Sequence, residues 1–412
     1  MLSGAFLMAL LVAPAAAEPG VVAAVHPHES GTDSQKPHRW AHYGSSGLEL
    51  GSQDGAFSAK VNVRSQLRFT SPFESAPRRE SHLAQPGESN LGFRRARFKM
   101  DGHIGVPWIN YKYEHDLVGG NLLDLRFDVG PEWMKLRFGQ WKADYSRERM
   151  DSSGKQQFVE RSIVNREFTI GRQKGVELTG RLAKGSLADS QYFVGVFTGQ
   201  GLGVFRDRRV AADAADGSPM WLARYQWNPI GGGVSLSQSD LERQADPRLS
   251  LAAATTSNRS SYTRFSSGGG SQMDGFAAGA PGQYSLRQYM TEAAFKQRGF
   301  SLQQEFHWKR VRDNVNATET HMRGSYVHAG YFFNEIYSKI PRQLEFAGRY
   351  SFVDRSTGRS NDLLHEAGIV ANWFFRGHAD KLSVDVSRYS LAAAQSSLGS
   401  RVGVRVQWDA SF

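Results

Sequence analysis

Basic side chains recur at every second position along several segments of this chain. In Ala56 to Thr70, Lys60, Asn62, Arg64, Gln66 and Arg68 alternate with Val61, Val63, Leu67 and Phe69. In Leu91 to Ile104, Arg95, Arg97, Lys99 and Asp101 alternate with Ala96, Phe98 and Met100. Asn110, Lys112 and Glu114 alternate with Ile109, Tyr111 and Tyr113. Asp124, Arg126 and Asp128 alternate with Leu123, Leu125 and Phe127. Lys135 and Arg137 then alternate with Met134, Leu136 and Phe138. A guanidinium is permanently charged, weakly hydrated and presents planar donors that match an oxyanion. A row of them would replace an anion's hydration shell step by step, provided that each site also lets go. The same spacing equally suits a network in which these cations pair with Asp101, Glu114, Asp124 and Asp128. Spacing alone does not choose between the two. Arg94 adds a conflict. Strict alternation turns it away from Arg95, unless it sits at a rim or a bulge brings both to one side.

No catalytic constellation stands beside these cations. The chain lacks G-x-S-x-G, H-E-x-x-H, a Walker loop and G-x-G-x-x-G. A catalytic triad assembles in space rather than in sequence, so an enzyme remains an open alternative. His26, His28, His38 and His42 are irregularly spaced and do not read as a metal site, and no cofactor is expected. There are no cysteines. The net charge is +10, and Arg outnumbers Lys by 37 to 13. Such a balance often marks a nucleic-acid binder. Here the charges stand singly at alternate positions, not in blocks or helical stripes, and nucleic acid is not expected as a partner.

Elements that place one face in apolar surroundings and the other in water are β-strands of period two. The last segment, Arg401 to Phe412, shows this clearly. Val402, Val404, Val406, Trp408 and Phe412 fall on one face, and Arg401, Arg405, Gln407, Asp409 and Ser411 on the other. Charges at nearly every position of the second face could not sit unpaired in a sandwich core. They suit a barrel with lipid outside and water inside. Further strands are expected near 175–182, 190–198, 219–228, 232–242, 283–298, 300–312, 320–333, 343–354, 363–375 and 380–389. With the six segments above they number about sixteen. Phe193 and Val194 are apolar on both faces and leave the register of that stretch open. Gln244 to Gly282, rich in Ser, Ala and Gly, reads as an exposed loop. Gly139 to Gly175 reads as a long, charged third loop of the kind that folds into a barrel and narrows it. The expected fold class is therefore all-β: a transmembrane antiparallel barrel of about 16 strands with a long inward-folded third loop. Leu2 to Val12 followed by Pro14-Ala15-Ala16-Ala17 reads as a secretion signal over residues 1–17, although it has no Lys or Arg. Residues 18–54 read as a flexible periplasmic segment and entry to the barrel, and 55–412 as the barrel itself.

Several motifs resemble the phosphate-selective porin O and P family. They are Phe93-Arg94-Arg95-Ala96-Arg97, Gly102, Tyr111-Lys112-Tyr113 and Asp116-Leu117. Lys135 to Gln140, Glu148 to Ser153 and Val159 to Ser162 follow in order, then Leu344 to Ser351 and Ala371 to Phe374. The resemblance runs from about 48 to 412. It implies a sixteen-stranded, usually trimeric channel with an arginine ladder and an inward third loop. Carried over residue by residue, it implies Arg64, Arg94 and Arg95 as ladder positions. Arg149, Ser152 and Arg161 become third-loop contributors to the constriction, Asp124 its aspartate, and Arg224 a later rung. Arg243, Arg248 and Arg259 are looser counterparts. Arg149 stands where the family usually has Lys, and with only 13 Lys the family's lysine-rich vestibule is thin in this chain. The expected function is passive diffusion of anions, phosphate or polyphosphate foremost, across the bacterial outer membrane. The expected partners are small anions, outer-membrane lipid and lipopolysaccharide, in a homotrimer. The alternatives are a general or organic-solute porin and an outer-membrane enzyme barrel.

Overall fold

The computed structural model describes residues 41–44, 47–78, 80–199, 201, 219–266, 269–358, 362–391 and 400–412. The expected signal at 1–17 and His26, His28 and His38 lie outside the described residues. Sixteen antiparallel strands form the wall. They are β3 (Phe57–Ser71), β4 (Asn90–Ile104), β5 (Val106–Asp116), β6 (Asn121–Val129), β7 (Lys135–Lys142), β8 (Arg172–Leu182), β9 (Ser190–Phe197) and β10 (Met220–Ile230). Then come β11 (Arg248–Ser260), β14 (Tyr284–Gln297), β15 (Phe300–Asp313), β16 (Thr318–Tyr331), β17 (Leu344–Asp354), β18 (Leu363–Phe374), β19 (Asp380–Leu391) and β20 (Ser400–Ser411), while the connections hold a short helix α1 (Glu80–Ala84) and a small hairpin of β12 (Arg264–Ser266) and β13 (Gly269–Ser271). Each pairs with the next, and β20 returns to β3 with Val404 opposite Ser71 and Ser411 opposite Arg64, which closes the barrel. Among the described residues each of the sixteen strands has a neighbour on both sides, as lipid requires.

The wall is inside out relative to a water-soluble fold. Large apolar side chains such as Trp221, Tyr289, Trp308, Phe346, Ile369 and Trp408 are exposed, whereas Gln66, Glu177, Glu305, Glu345, Asp385 and Asp409 are fully buried. Alternation produces this directly, because consecutive side chains leave a strand on opposite faces. One end of the barrel carries the longer connections, including 72–89, 143–171 and 261–283, and the other mostly short turns such as 298–299. In such barrels the loop end faces outward and the turn end faces the periplasm.

Three expectations are corrected. Residues 41–44 and 47–51 are not a flexible lead-in. They form a hairpin, β1 (Ala41–Gly44) and β2 (Gly47–Gly51), and β2 continues the sheet on β3 where β20 runs out. Residues 232–242 are not a strand. Gly231, Gly232 and Gly233 take φ of 65°, 68° and 90°, a left-handed run that ends β10 and turns the chain inward. The segment that follows then bonds inside the barrel, where Gln238 donates to Asp151 at 2.9 Å and Ser239 to Glu345 at 2.8 Å. The missing strand is β11, inside the stretch expected to be an exposed loop. Its run Ala252-Ala253-Ala254 carries too little apolar bulk to show alternation. In β9, Phe193 faces in and Val194 out, 8% and 50% exposed.

Candidate functional site

Residues 143–171, between β7 and β8, cross the lumen. They hold two short helices, α2 (Arg147–Met150) and α3 (Ile163–Phe168). One wall seats this loop. Tyr145, Ile163, Val164, Phe168 and Ile170 join a buried apolar cluster with inward side chains of β10 and β14–β18, among them Leu222, Met290, Val311, Met322, Tyr326 and Val353. Around this seat, inward polar groups hold the loop's main chain. Glu305 accepts from Ser146 Oγ at 2.8 Å and Glu148 N at 2.9 Å. Glu366 accepts from Ile163 N at 3.1 Å, and Gln288 and Lys309 donate to the carbonyls of Phe168 and Glu167.

The opposite wall is cationic. Arg64, on β3, is 3% exposed and donates to Ser152 Oγ at 3.2 Å and Ser153 Oγ at 2.6 Å. On β4 the register slips by one residue: Gln66 faces Arg95 and Leu67 faces Phe93. Arg94 is the extra residue, so both arginines reach the same loop carboxylate. Glu160 takes Arg68 at 2.5 Å, Arg95 at 3.2 Å and Arg94 at 3.4 Å. Three guanidinium groups against one carboxylate leave an excess of positive charge, and they hold Glu160 well below the usual carboxylate range against the effect of its burial.

Arg149 and Arg161 come from the loop itself. Arg149 is 6% exposed, and its Nε and Nη2 have no hydrogen-bond partner. Burial, then repulsion from Arg161, Arg172, Arg97 and Arg95, pulls it well below the ordinary arginine value. Arg161 donates to the carbonyls of Glu148 at 2.7 Å and Asp151 at 2.8 Å, and to Gln156 Oε1 once that amide is turned toward it. None of these partners is a carboxylate, and burial followed by repulsion from Arg95 brings Arg161 down to about 10. On the outer side of the loop lies a cavity of roughly 380 Å³, which Arg149 and Arg161 share with Arg78, Arg94, Arg166, Arg264, Arg355 and Arg405. Among the described residues that line it the acids are Glu74, Glu160 and Glu167, and Asp385 and Asp274 reach Arg405 and Arg355 from beyond the lining.

The structure therefore brings together Arg64, Arg94, Arg95, Arg149, Ser152 and Arg161. The other two expected residues are held in ion pairs of their own. Asp124 takes Arg172 Nε at 2.6 Å and Lys112 at 3.3 Å. Arg224 forms a two-pronged pair with Glu292 at 2.8 and 3.0 Å and holds the Tyr145 carbonyl, so it belongs to the loop's seat. Arg243 bonds Asn334 and the Arg342 carbonyl at the turn end, and Arg259 lies on the outward face of β11. Sequence reasoning missed Glu160, Arg68, Arg97 and Arg172 as members of the site. Alternation had turned Arg68 and Arg97 inward. Nothing in the sequence pointed Glu160 at three arginines. Among the described residues no group of three or more His, Asp or Glu is arranged to hold a metal.

No curated protein matches the chain. Among solved structures, it is similar to an anion-selective porin from Comamonas acidovorans, with 9% identity, 86% of this chain and 100% of that chain covered, and a TM-score of 0.56. It is also similar to a loop-deletion mutant of OmpT, an outer membrane protein of Vibrio cholerae (11%, 86% and 99%, 0.56). A third is the outer membrane channel DcaP of Acinetobacter baumannii (12%, 88% and 99%, 0.50). Identities this low speak to the fold. The model of the phosphate-selective porin O and P family matches residues 66–397. A closed sixteen-stranded barrel with lipid outside, a cation-rich lumen inside and this match over most of its length make the chain a member of that family, an anion porin of the bacterial outer membrane.

Proposed function

We propose that the chain is a passive channel for small oxyanions, inorganic phosphate foremost. On this reading the ions enter through the arginine-lined cavity and cross at Arg149, Arg161, Arg95 and Arg64. The observation that carries it is Arg149, a buried guanidinium with two donors unused, surrounded by other cations. A buried charged donor left without a partner costs about 1–3 kcal/mol or more, and an oxyanion removes that cost. The pairing of the remaining lumen charges supports the release half of the cycle. Arg97 sits 2.6 Å from Glu114, and Arg172 is held by Glu114 and Asp124, so the pathway alternates free and neutralised cations. Several weak sites then hand an ion along where one strong site would trap it. No catalytic step enters this reading. Transport follows the gradient through one barrel, and assembly as a homotrimer is part of the proposal.

Reversal potentials in planar bilayers test it. Arg149→Ala and Arg161→Ala are each expected to reduce anion-over-cation selectivity while the barrel still folds and conducts. Unchanged selectivity in both would leave the general-porin reading, in which lumen arginines only balance lumen acids.

A further inference from the structure

A second concentration of arginine lies outside the lumen, on the lipid-facing surface. Arg287 on β14, Arg310 and Arg312 on β15, and Arg323 on β16 all point outward near the loop end. The register makes them one patch. Arg287 stands directly opposite Arg310, Arg312 lies opposite Ser285 and Glu319, and Arg323 stands opposite Trp308. Directly opposed side chains on neighbouring strands have Cβ atoms about 4.5–5.5 Å apart, and like charges so placed repel. Compensation is thin. Glu319 takes Arg310 at 2.5 Å and also contacts His321, and Asp354, directly opposite Arg323 on β17, takes it at 2.9 Å. Among the described residues neither Arg287 nor Arg312 is in an ion pair, and both are exposed.

The position of the patch along the strands fixes its surroundings. Tyr289 and Trp308 lie two residues further toward the mid-wall from Arg287 and Arg310, 52% and 43% exposed on the same face. Outward aromatics of this kind mark the boundary between hydrocarbon and headgroups. Arg287, Arg310 and Arg312, just beyond them, therefore sit at headgroup depth in the outer leaflet, with Arg323 level with the aromatic pair. There an outward charge costs far less than at the midplane. The belt is not basic all round. Phe69, Leu91, Trp221 and Val402 hold the outward positions near the loop end of β3, β4, β10 and β20, all exposed. The outward Arg388 of β19 stands apart and donates to Ser400.

We propose that this sector of β14–β16 is a binding site for the phosphate groups of the phosphorylated glycolipid that forms the outer leaflet. Opposed arginines spaced by one strand separation match a multiply charged phosphate headgroup. The aromatic pair below them packs against the upper acyl chains. Guanidinium–phosphate contacts are charge-assisted and two-pronged, so they recognise phosphate and not merely negative charge. The inference needs only that the barrel sits in the outer membrane and is independent of what crosses the lumen.

The test uses the full-length barrel in detergent, with bisphosphorylated lipid A, the same lipid with its phosphates removed, and inorganic phosphate as probes. Bound lipid is read by native mass spectrometry. The expected result is retention of bisphosphorylated lipid A, weakened by about tenfold or more in Arg287→Gln/Arg312→Gln and only partly restored in Arg287→Lys/Arg312→Lys, which keeps the charge and loses the two-pronged contact. Heat-modifiable migration and single-channel conductance are expected to stay unchanged in both. Should the Gln variant fail to fold, the two lipids alone decide on the wild-type chain. Equal retention of the dephosphorylated lipid, equal retention by a folded Gln variant, or displacement of the lipid by equimolar inorganic phosphate would each overturn the proposal.

Discussion

The two halves of the lumen wall do different work. The half formed by β10 and β14–β18 offers inward apolar side chains and acids, and the third loop lies on it, fixed by Glu305, Glu366, Gln288, Lys309 and Arg224. The half formed by β3–β8 offers Arg64, Arg68, Arg95, Arg97, Lys112 and Arg172, and it meets the loop mainly through Glu160 and the serines at 152 and 153. A loop seated by apolar burial on one side needs little from the other, so its far edge can stay under-neutralised. A buried cation without a partner is costly, and the apolar burial of the loop on the opposite wall offsets that cost. The seat therefore supplies rigidity, and the basic wall supplies the electrostatic field.

Breaking the seat should have the largest effect. Glu305→Leu removes the acceptor for both Ser146 Oγ and Glu148 N, which leaves two buried donors unpaired at about 1–3 kcal/mol each. Single-channel conductance should rise several-fold as the loop leaves the lumen, and anion selectivity should fall with it. A normal conductance in this variant would mean that the apolar cluster holds the loop alone. Neutralising the far edge acts in the other direction and less strongly. Glu160→Gln releases Arg68, Arg94 and Arg95 from their common carboxylate. Reversal potentials should shift toward higher anion selectivity, with conductance close to wild type. Loss of selectivity would instead make Glu160 a necessary organiser of the three arginines.

The smallest expected effect is that of pH. Burial pushes Glu148 up to about 7 and Asp151 up to about 6, although Arg349 and Arg147 oppose the respective shifts. Both carboxyls are anionic above these values and neutral below them. Lowering the pH from about 8 to about 5 therefore removes negative charge from the loop. Anion selectivity measured by reversal potential should rise across that window. Because these folded-state values are raised, the associated stability is present at low pH and is lost as the pH climbs through about 6 and 7. A flat selectivity profile would place both carboxyls too far from the ion path to be felt.

Much of this asymmetry is written locally in the chain. Period-two alternation gave the barrel, most of its strands and the inward direction of Arg64, Arg68, Arg95 and Arg97. Even the bulge at Arg94 leaves a trace. The outward residues are odd-numbered at Leu91 and Phe93 and even-numbered at Ala96, Phe98 and Met100, and the switch needs one extra residue between them. Alternation failed where bulk was missing, at Ala252–Ala254, and where it was accidental, at Val234 and Leu236 after the three-glycine turn. What sequence could not supply is which lumen charges find partners. Arg224 and Arg149 look alike as single basic residues. Only the placement of Glu292 beside one, and of four other arginines around the other, separates a structural clamp from a free cation.

The central claim is that under-neutralised arginines on the loop's far edge bind an oxyanion in transit. The most direct measurement is single-channel chloride conductance with inorganic phosphate added, in the wild-type chain and in Arg149→Ala. Saturable block of the chloride current by phosphate in the wild type, weakened in the variant, is the predicted result. Chloride current indifferent to phosphate in both would contradict it.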